Sequence, residues 1–258
     1  MGNSMIRVVF NQKGGVGKSS ISTNLAAISA SKNKRTLVVD LDPQCNTSHY
    51  LLGERVNDTE GDIKDFFEQT LSFQVRPKEI TDFIHSTSYE NLDLLPSNPE
   101  LGDLHAKLEA KHKIYKLRDA LLNLEQYDAI YIDTPPAFNF YTLSALCTAD
   151  SCLIPFDCDE FSRQALYSLM YNIQETQEDH NDRLKIEGIV VNQFQPRANA
   201  SKNIVETLKD DDLPVLEAKI SSSVKMKESH NECKPLIYFA PKHKLTQEFM
   251  ALYEELNG

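Results

Sequence analysis

Asn11-Gln12-Lys13-Gly14-Gly15-Val16-Gly17-Lys18-Ser19-Ser20 follows an apolar run, Ile6 to Phe10, and precedes a helix-like segment, Ile21 to Ala30. Strand, glycine-rich turn and helix N-terminus, in that order, is the context in which a glycine-lysine motif becomes a phosphate site. Backbone N–H groups in such a turn point inward and form a concave anion nest. The helix that begins there adds unpaired N–H groups and the positive end of its dipole. Residues 13–20 are thus the candidate nucleotide contacts: Lys13, Gly14, Gly15, Val16, Gly17, Lys18, Ser19 and Ser20. Lys18 would place a point charge on the β- and γ-phosphates, and the Ser19 hydroxyl would ligate Mg²⁺. The strict G-x-x-x-x-G-K-[ST] pattern wants glycine at position 12, where this chain has Gln12, and a second lysine, Lys13, opens the loop. A charged side chain beside a phosphate nest has an evident use.

Working outward, Val38-Val39-Asp40-Leu41-Asp42-Pro43-Gln44 presents two carboxylates two residues apart at the end of a strand. In an extended segment they would point the same way, and Pro43 stops the strand. One acid near Mg²⁺ can hold its water shell while the other orients an attacking water. Ile130-Tyr131-Ile132-Asp133 is a hydrophobic strand ending in a carboxylate, the form in which an acid holds the metal directly or through water.

Apolar runs alternate with helical patterns along the chain. Strands are expected at 6–10, 36–41, 92–95, 128–133, 151–155, 186–192 and 215–220, with 236–239 as a further candidate. Helices are expected at 19–32, 61–70, 100–124, 139–147, 161–178, 200–210 and 245–257. The strand candidates are short and apolar on consecutive positions, as strands buried on both faces read. The alternation implies right-handed βαβ units. The expected fold is α/β: a single doubly wound domain over residues 1–258, with a mostly parallel central sheet flanked by helices. In such sheets ligands sit beyond the carboxyl ends of the strands, where the glycine loop, Asp40–Asp42 and Asp133 all fall. Residues 54–90 are polar and weakly patterned, and read as helical turns and loop at the rim.

Composition narrows the function classes. No run of 18 apolar residues exists, so no membrane span is expected, and no basic-then-apolar opening predicts a secretory leader. The five cysteines (45, 147, 152, 158, 233) lack metal-like spacing and read as reduced, buried thiols of a cytoplasmic protein. Net charge is −11 and unevenly spread. Residues 185–258 carry 10 Lys and Arg against 11 Asp and Glu, while residues 1–184 carry 17 against 27. That balance argues against a general polyanion binder; a nucleic-acid surface would be local and confined to the C-terminal third.

Asn11–Ser19, Val39–Asn46 and Tyr127-Asp128-Ala129-Ile130-Tyr131-Ile132-Asp133-Thr134-Pro135-Pro136 resemble the deviant Walker A, A′ and B motifs of the ParA/MinD ATPases, a P-loop NTPase family, and most closely those of its ParA/Soj branch. Leu94–Ser97, Arg197–Val205 and the ending from Lys234 to Leu256 are similar to that branch too. The resemblance implies a homodimer that forms with ATP, the two nucleotides sandwiched between protomers, and slow, partner-stimulated hydrolysis. Lys13 would be the signature lysine, reaching across the interface to the partner's phosphates, while Lys18 serves its own subunit. Ser19 and Asp133 would serve Mg²⁺, with Asp40 helping through the water shell, and Asp42 would orient the hydrolytic water, which makes Lys13, Lys18 and Asp42 the catalytic candidates. Asn192 matches the family's adenine-reading asparagine, whereas Ser221 stands where the family has proline.

The resemblance further implies cargo positioning (a plasmid, a chromosome locus or a protein assembly) with a cargo-linked, ParB-like activator. It also implies nonspecific DNA binding by the ATP dimer, for which Arg197, Lys202, Lys219, Lys225 and Lys227 are the candidates, and hence association with the nucleoid. Ser222 departs from the arginine common in the branch, and Asp210-Asp211-Asp212 lies where basic residues often cluster. The alternative is a nucleotide-gated scaffold or polar-positioning ATPase whose matrix is a protein. MinD-like membrane binding uses a basic amphipathic terminal helix; here Thr246–Leu256 has acidic and uncharged polar residues, and Phe249, Leu252, Tyr253 and Leu256 read as core packing.

Overall fold

The computed structural model describes residues 4–157 and 163–258. One sheet of eight strands runs through them: β1 (Met5–Val9), β2 (Thr36–Asp40), β3 (His85–Ser86), β4 (Leu92–Leu95), β5 (Ala129–Asp133), β6 (Ser151–Asp157), β7 (Lys185–Phe194) and β8 (Val215–Ser221), in the order β3-β4-β2-β5-β1-β6-β7-β8. Every pairing is parallel except the short antiparallel one between β3 and β4. The helices are α1 (Lys18–Ser31), α2 (Asn46–Leu52), α3 (Ile63–Gln69), α4 (Leu101–Ala110), α5 (Lys116–Leu121), α6 (Phe140–Leu146), α7 (Arg163–His180), α8 (Asn199–Asp210), α9 (Val224–Asn231), α10 (Leu236–Phe239) and α11 (Lys244–Asn257). The chain leaves β1 toward β2 on one side and returns through β5 to β6 on the other. The carboxyl ends of β1, β2 and β5 therefore meet at the reversal, where open α/β sheets bind ligands.

Side chains of the central strands alternate between two core layers, as a two-residue period demands. Ile6 and Val8 of β1, and Ile130 and Ile132 of β5, pack with α3 to α7 through Phe67, Leu108, Leu117, Phe140 and Leu169. Val9, Val38 and Tyr131 face the opposite layer with Leu25 of α1, Leu51 of α2, Leu236 of α10 and Phe249 of α11. This double burial explains the near-continuous apolar strands. Arg7 interrupts β1 and is 1% exposed. Its Nε and Nη2 each donate to Glu187 at 2.6 Å, and Nη1 donates to the Tyr131 hydroxyl at 3.1 Å. A buried charge persists only when paired and hydrogen-bonded in this way.

The terminal helix behaves as its spacing predicts: Phe249, Leu252 and Tyr253 are buried and Leu256 packs beside them. Among the described residues, no helix is long and apolar enough to cross a membrane. Cys45, Cys147 and Cys152 are buried free thiols, Cys233 is half-buried, and Cys158 lies outside the described residues.

Three expectations change. The run 236–239, a strand candidate, is the helical turn α10: Pro235 caps it at φ −52°. The Leu236 N–H goes to Asn24 Oδ1 at 2.8 Å instead of to a neighbouring strand. The helix expected over 100–124 is two, because His112 adopts a left-handed φ of 52° just past the end of α4. Residues 54–90 are more than rim, since Ile63, Phe66, Phe67, Ile80 and Phe83 lie in the main core. The tip of that segment leaves two large apolar side chains bare, Phe73 and Val75.

Candidate functional site

The loop between β1 and α1 is shaped by two glycines in the left-handed region, Gly15 at φ +77° and Gly17 at φ +94°. Asn11 fastens its base. The Asn11 amide donates to the Pro155 carbonyl at 2.7 Å, and its Oδ1 accepts the Lys13 N–H at 2.9 Å. Gly17 is the N-cap of α1 and provides no side-chain cap. The first N–H groups of α1 are therefore left for a ligand, the arrangement that binds phosphate at helix N-termini.

Lys18 is 6% exposed and its Nζ donates to the Lys13 carbonyl at 3.0 Å. Burial lowers its pKa, and the charges of Asp133 and Asp42 oppose that shift. The ammonium is thus held in the loop with two acids nearby. Gly14, Gly15, Gly17, Lys18, Ser19, Ser20, Asp42, Gln44, Asn46, Pro136 and His230 enclose a cavity of 380 Å³.

The register of the sheet sets the acids. Asp133 of β5 lies level with Val9 on one side and Asp40 on the other. Asp133 accepts from Thr47 Oγ1 at 2.8 Å and from the neighbouring Thr134 N–H at 3.1 Å, and the Ser19 hydroxyl acts to lower its pKa. Both acids are fully buried. Desolvation raises both pKa values, and the Asp133 charge pushes Asp40 further up. Hydrogen bonds from Ser48 to Asp40 and from Thr47 to Asp133, with the Ser19 hydroxyl, pull the other way. A hydroxyl beside a carboxylate suits Mg²⁺, which takes one or two protein carboxylates, keeps several waters and binds phosphate oxygens. Ser19 and Asp133 offer that donor set.

Asp40 and Asp42 do not point the same way. β2 ends at Asp40, whose Oδ1 accepts the Asp42 N–H at 3.1 Å, so the chain turns between them. Asp40 stays buried against the start of α2, where its Oδ2 accepts the Ser48 N–H at 2.9 Å and the Ser48 hydroxyl at 2.7 Å. Asp42 swings into the phosphate cavity, with its Oδ1 accepting the Gln44 N–H at 3.0 Å. Burial raises the Asp42 pKa against the opposing charge of Lys18. Thr47 and Ser48 were not singled out from sequence. Their signal is a pair of hydroxyls in the first turn of α2, directly after the Asp40–Gln44 stretch.

The end of β7 grips the loop from the other side. Asn192 Nδ2 donates to the Val16 carbonyl at 2.8 Å. Gln193 Nε2 donates to Asp157 Oδ2 at 3.1 Å and to the Gly15 carbonyl at 3.4 Å. A Cβ on Gly17 would lie 2.3 Å from Asn192 Nδ2. Gly17→Ala therefore combines a clash with a left-handed backbone, a strain of about 1–3 kcal/mol. The expected outcome is ADP affinity weakened at least about a hundredfold in calorimetric titration, with a lowered melting temperature.

Asn192 also lines a second cavity of 370 Å³ with Ile220, Ser221, Met226, Lys227, His230 and Leu245, sharing the loop's Gly15, Gly17 and Ser20. Ser221 is anchored by Glu248, which accepts its N–H at 2.8 Å and its hydroxyl at 2.7 Å. A proline there would have no N–H to give.

The basic candidates scatter. Arg197 and Lys202 are exposed at the start of α8. Arg197 shares a surface hollow with Ser222, Ser223, His243 and Lys244. Lys219 donates to the Glu217 carbonyl at 3.0 Å and lies over the Phe194 ring. Lys225 pairs with Glu228 at 2.5 Å, and Lys227 faces the second cavity.

A family model described as an AAA domain matches residues 4–186. The chromosome partitioning protein ParA of Myxococcus xanthus is 36% identical over 251 residues, covering 96% of this chain and 86% of that protein. The sporulation initiation inhibitor protein Soj of Bacillus subtilis is 32% identical over 254 residues, covering 97% of each. Among solved structures, cobyrinic acid a,c-diamide synthase from Mycobacterium smegmatis with bound ADP and magnesium superposes with a TM-score of 0.78 at 26% identity, over 89% of this chain and 91% of that one. The two sequence matches run nearly end to end, through the loop and both strand-end acids. The chain belongs to the ParA/Soj branch of the ParA/MinD family of deviant Walker A ATPases.

Proposed function

We propose that the chain is a single-domain nucleotide switch: ATP closes two protomers into a sandwich dimer, the dimer holds a matrix, and slow hydrolysis releases it. The observation that carries this reading is the convergence of Lys18, Ser19 and Asp42 on one phosphate cavity, with Asp133 buried behind it. Lys18 would hold the β- and γ-phosphates of its own subunit. Ser19 and Asp133 would ligate Mg²⁺, with Asp40 acting through the water shell. Bound Mg²⁺ would neutralise charge that develops on the phosphate oxygens. Asp42, in the cavity, would orient the attacking water, and its raised pKa suits a group that takes up a proton. Lys13 would cross the dimer interface and stabilise charge on the partner's nucleotide. Asn192 would turn its amide edge to the adenine while keeping its bond to Val16.

The biological task inferred from the partition relatives is cargo positioning in the cytoplasm. The cargo would be a plasmid, a chromosome locus or a protein assembly, and a ParB-like activator would trigger hydrolysis. DNA, and so the nucleoid, would be the matrix, gripped by Arg197 and Lys202 with Lys219, Lys225 and Lys227 nearby. A second reading has its own support. The net charge of −11 and the engagement of Lys219 and Lys225 within the chain favour a protein matrix, on which the ATP dimer acts as a gated scaffold.

Fluorescence anisotropy of labelled duplex DNA, with and without ATP, separates the two. Retention only with ATP, falling steeply between 50 and 200 mM salt, is the result expected for a DNA matrix. An ATP-bound dimer that leaves DNA free at low salt favours the scaffold.

A further inference from the structure

His230 belongs to no motif, yet it stands at the centre of the nucleotide site. Four residues line both the phosphate cavity and the cavity beside Asn192: Gly15, Gly17, Ser20 and His230. Three of them belong to the phosphate loop and the start of α1. His230 alone comes from elsewhere, projecting from α9. Its Nε2 lies 2.8 Å from Ser20 Oγ.

The ring is held before any ligand arrives. It stacks on Tyr50 with centroids 4.0 Å apart and planes 18° from parallel. Tyr50 is itself 2% exposed. Its hydroxyl is bonded by Asn24 Nδ2 at 3.3 Å and by the neighbouring Ser229. Ser229 in turn donates to the Lys234 carbonyl at 2.6 Å, and Asn24 takes the Leu236 N–H. α1, α2 and the α9–α10 segment therefore clamp the imidazole in one orientation. Burial lowers its pKa and favours the neutral ring, in which one nitrogen donates and the other accepts. Against a hydroxyl, Nε2 can take either role; against a phosphate oxygen it can only donate.

A nucleotide spanning the two cavities puts its triphosphate on the loop and its base beside Asn192, Ile220 and Met226. The seam between them, at Ser20 and His230, then receives the phosphate nearest the ribose. We propose that His230 is a nucleotide ligand whose Nε2–H, together with the Ser20 hydroxyl, holds the α-phosphate and so joins the phosphate loop to the base cavity. The proposal rests on the nucleotide reading above and adds a residue that the loop motif does not contain. Because the α-phosphate is common to ADP and ATP, His230 affects both equally.

The test uses the full chain with Mg²⁺, and ADP and ATP as probes. His230→Phe keeps an aromatic ring for the Tyr50 stack and removes Nε2, and His230→Gln restores a side-chain N–H donor. Losing a hydrogen bond to a charged group should weaken both nucleotides by about tenfold or more in His230→Phe. The ratio of ATP to ADP affinity should stay unchanged, and His230→Gln should recover part of the loss. In ³¹P spectra of bound ADP, the α resonance should move between parent and His230→Phe while the β resonance stays. Melting of the nucleotide-free variants monitors the anchoring of α9 separately. A parent that binds ADP alongside a His230→Phe variant that binds equally well, with an unmoved α resonance, overturns this proposal alone. A parent that binds neither nucleotide overturns the nucleotide reading and this proposal with it.

Discussion

Asp42→Ala is expected to bind ATP as the parent does and to lose hydrolysis by at least about a hundredfold, the range for removing a positioned acid–base group. The structure separates the two effects. Lys18, the loop N–H groups, Ser19 and Asp133 are the proposed binding groups; among the described residues none of them hydrogen-bonds the Asp42 carboxylate, whose Oδ1 accepts the Gln44 N–H. The Asp42 backbone bond to Asp40, which shapes the turn, is retained by alanine. Removing a buried acid near Lys18 also removes a counter-charge, but Asp133 remains, and the incoming phosphates supply more. Single-turnover hydrolysis of labelled ATP, beside a binding isotherm, measures both quantities. The ATP-bound form should accumulate, and with it whatever assembly ATP drives.

Lys13→Ala is expected to break that assembly while leaving nucleotide in place. Both backbone groups of Lys13 are committed to the loop: its N–H to Asn11 Oδ1 and its carbonyl to Lys18 Nζ. Alanine keeps both bonds, so the cradle and Lys18 should persist. What is lost is the side chain that would reach the partner. In a two-fold dimer the contact is made twice, once by each protomer's Lys13. At about 1.5–3 kcal/mol per charged hydrogen bond, the pair is worth about two to four decades in dimer dissociation constant. Sedimentation with ATP reads the dimer, and a nucleotide isotherm shows whether the cradle survived. Lys18→Ala is the contrasting variant, expected to lose both, because it removes the buried ammonium from the loop itself.

Much of this site was legible because its chemistry is local. The loop and the strand-end acids are short contiguous stretches, and a parallel sheet brings strand ends together without further information. The alternation of buried runs foretold the sheet, and the stripe Phe249–Leu252–Tyr253 foretold a core-facing terminal helix. What escaped depends on contacts across distant segments. Asp40 and Asp42 share a spacing that says nothing of the turn closed by the Asp42 N–H. Asn192 was readable as an amide at a strand end, but not as the residue that closes over Gly17. His230 carries no local pattern, and its place follows only from the packing of α9 on α1 and α2. The turn at 236–239 misled because four apolar residues suit a strand or a helix equally, and Asn24, 212 residues away, supplies the deciding hydrogen bond.

The central claim is that ATP, and not the chain alone, makes the dimer. Sedimentation velocity of Asp42→Ala with Mg²⁺, with and without saturating ATP, tests it most directly. The account predicts a monomer without nucleotide, a stable dimer with ATP, and a return to monomer when Lys13→Ala is added to the same chain. An Asp42→Ala protein that binds ATP and still sediments as a monomer would contradict it.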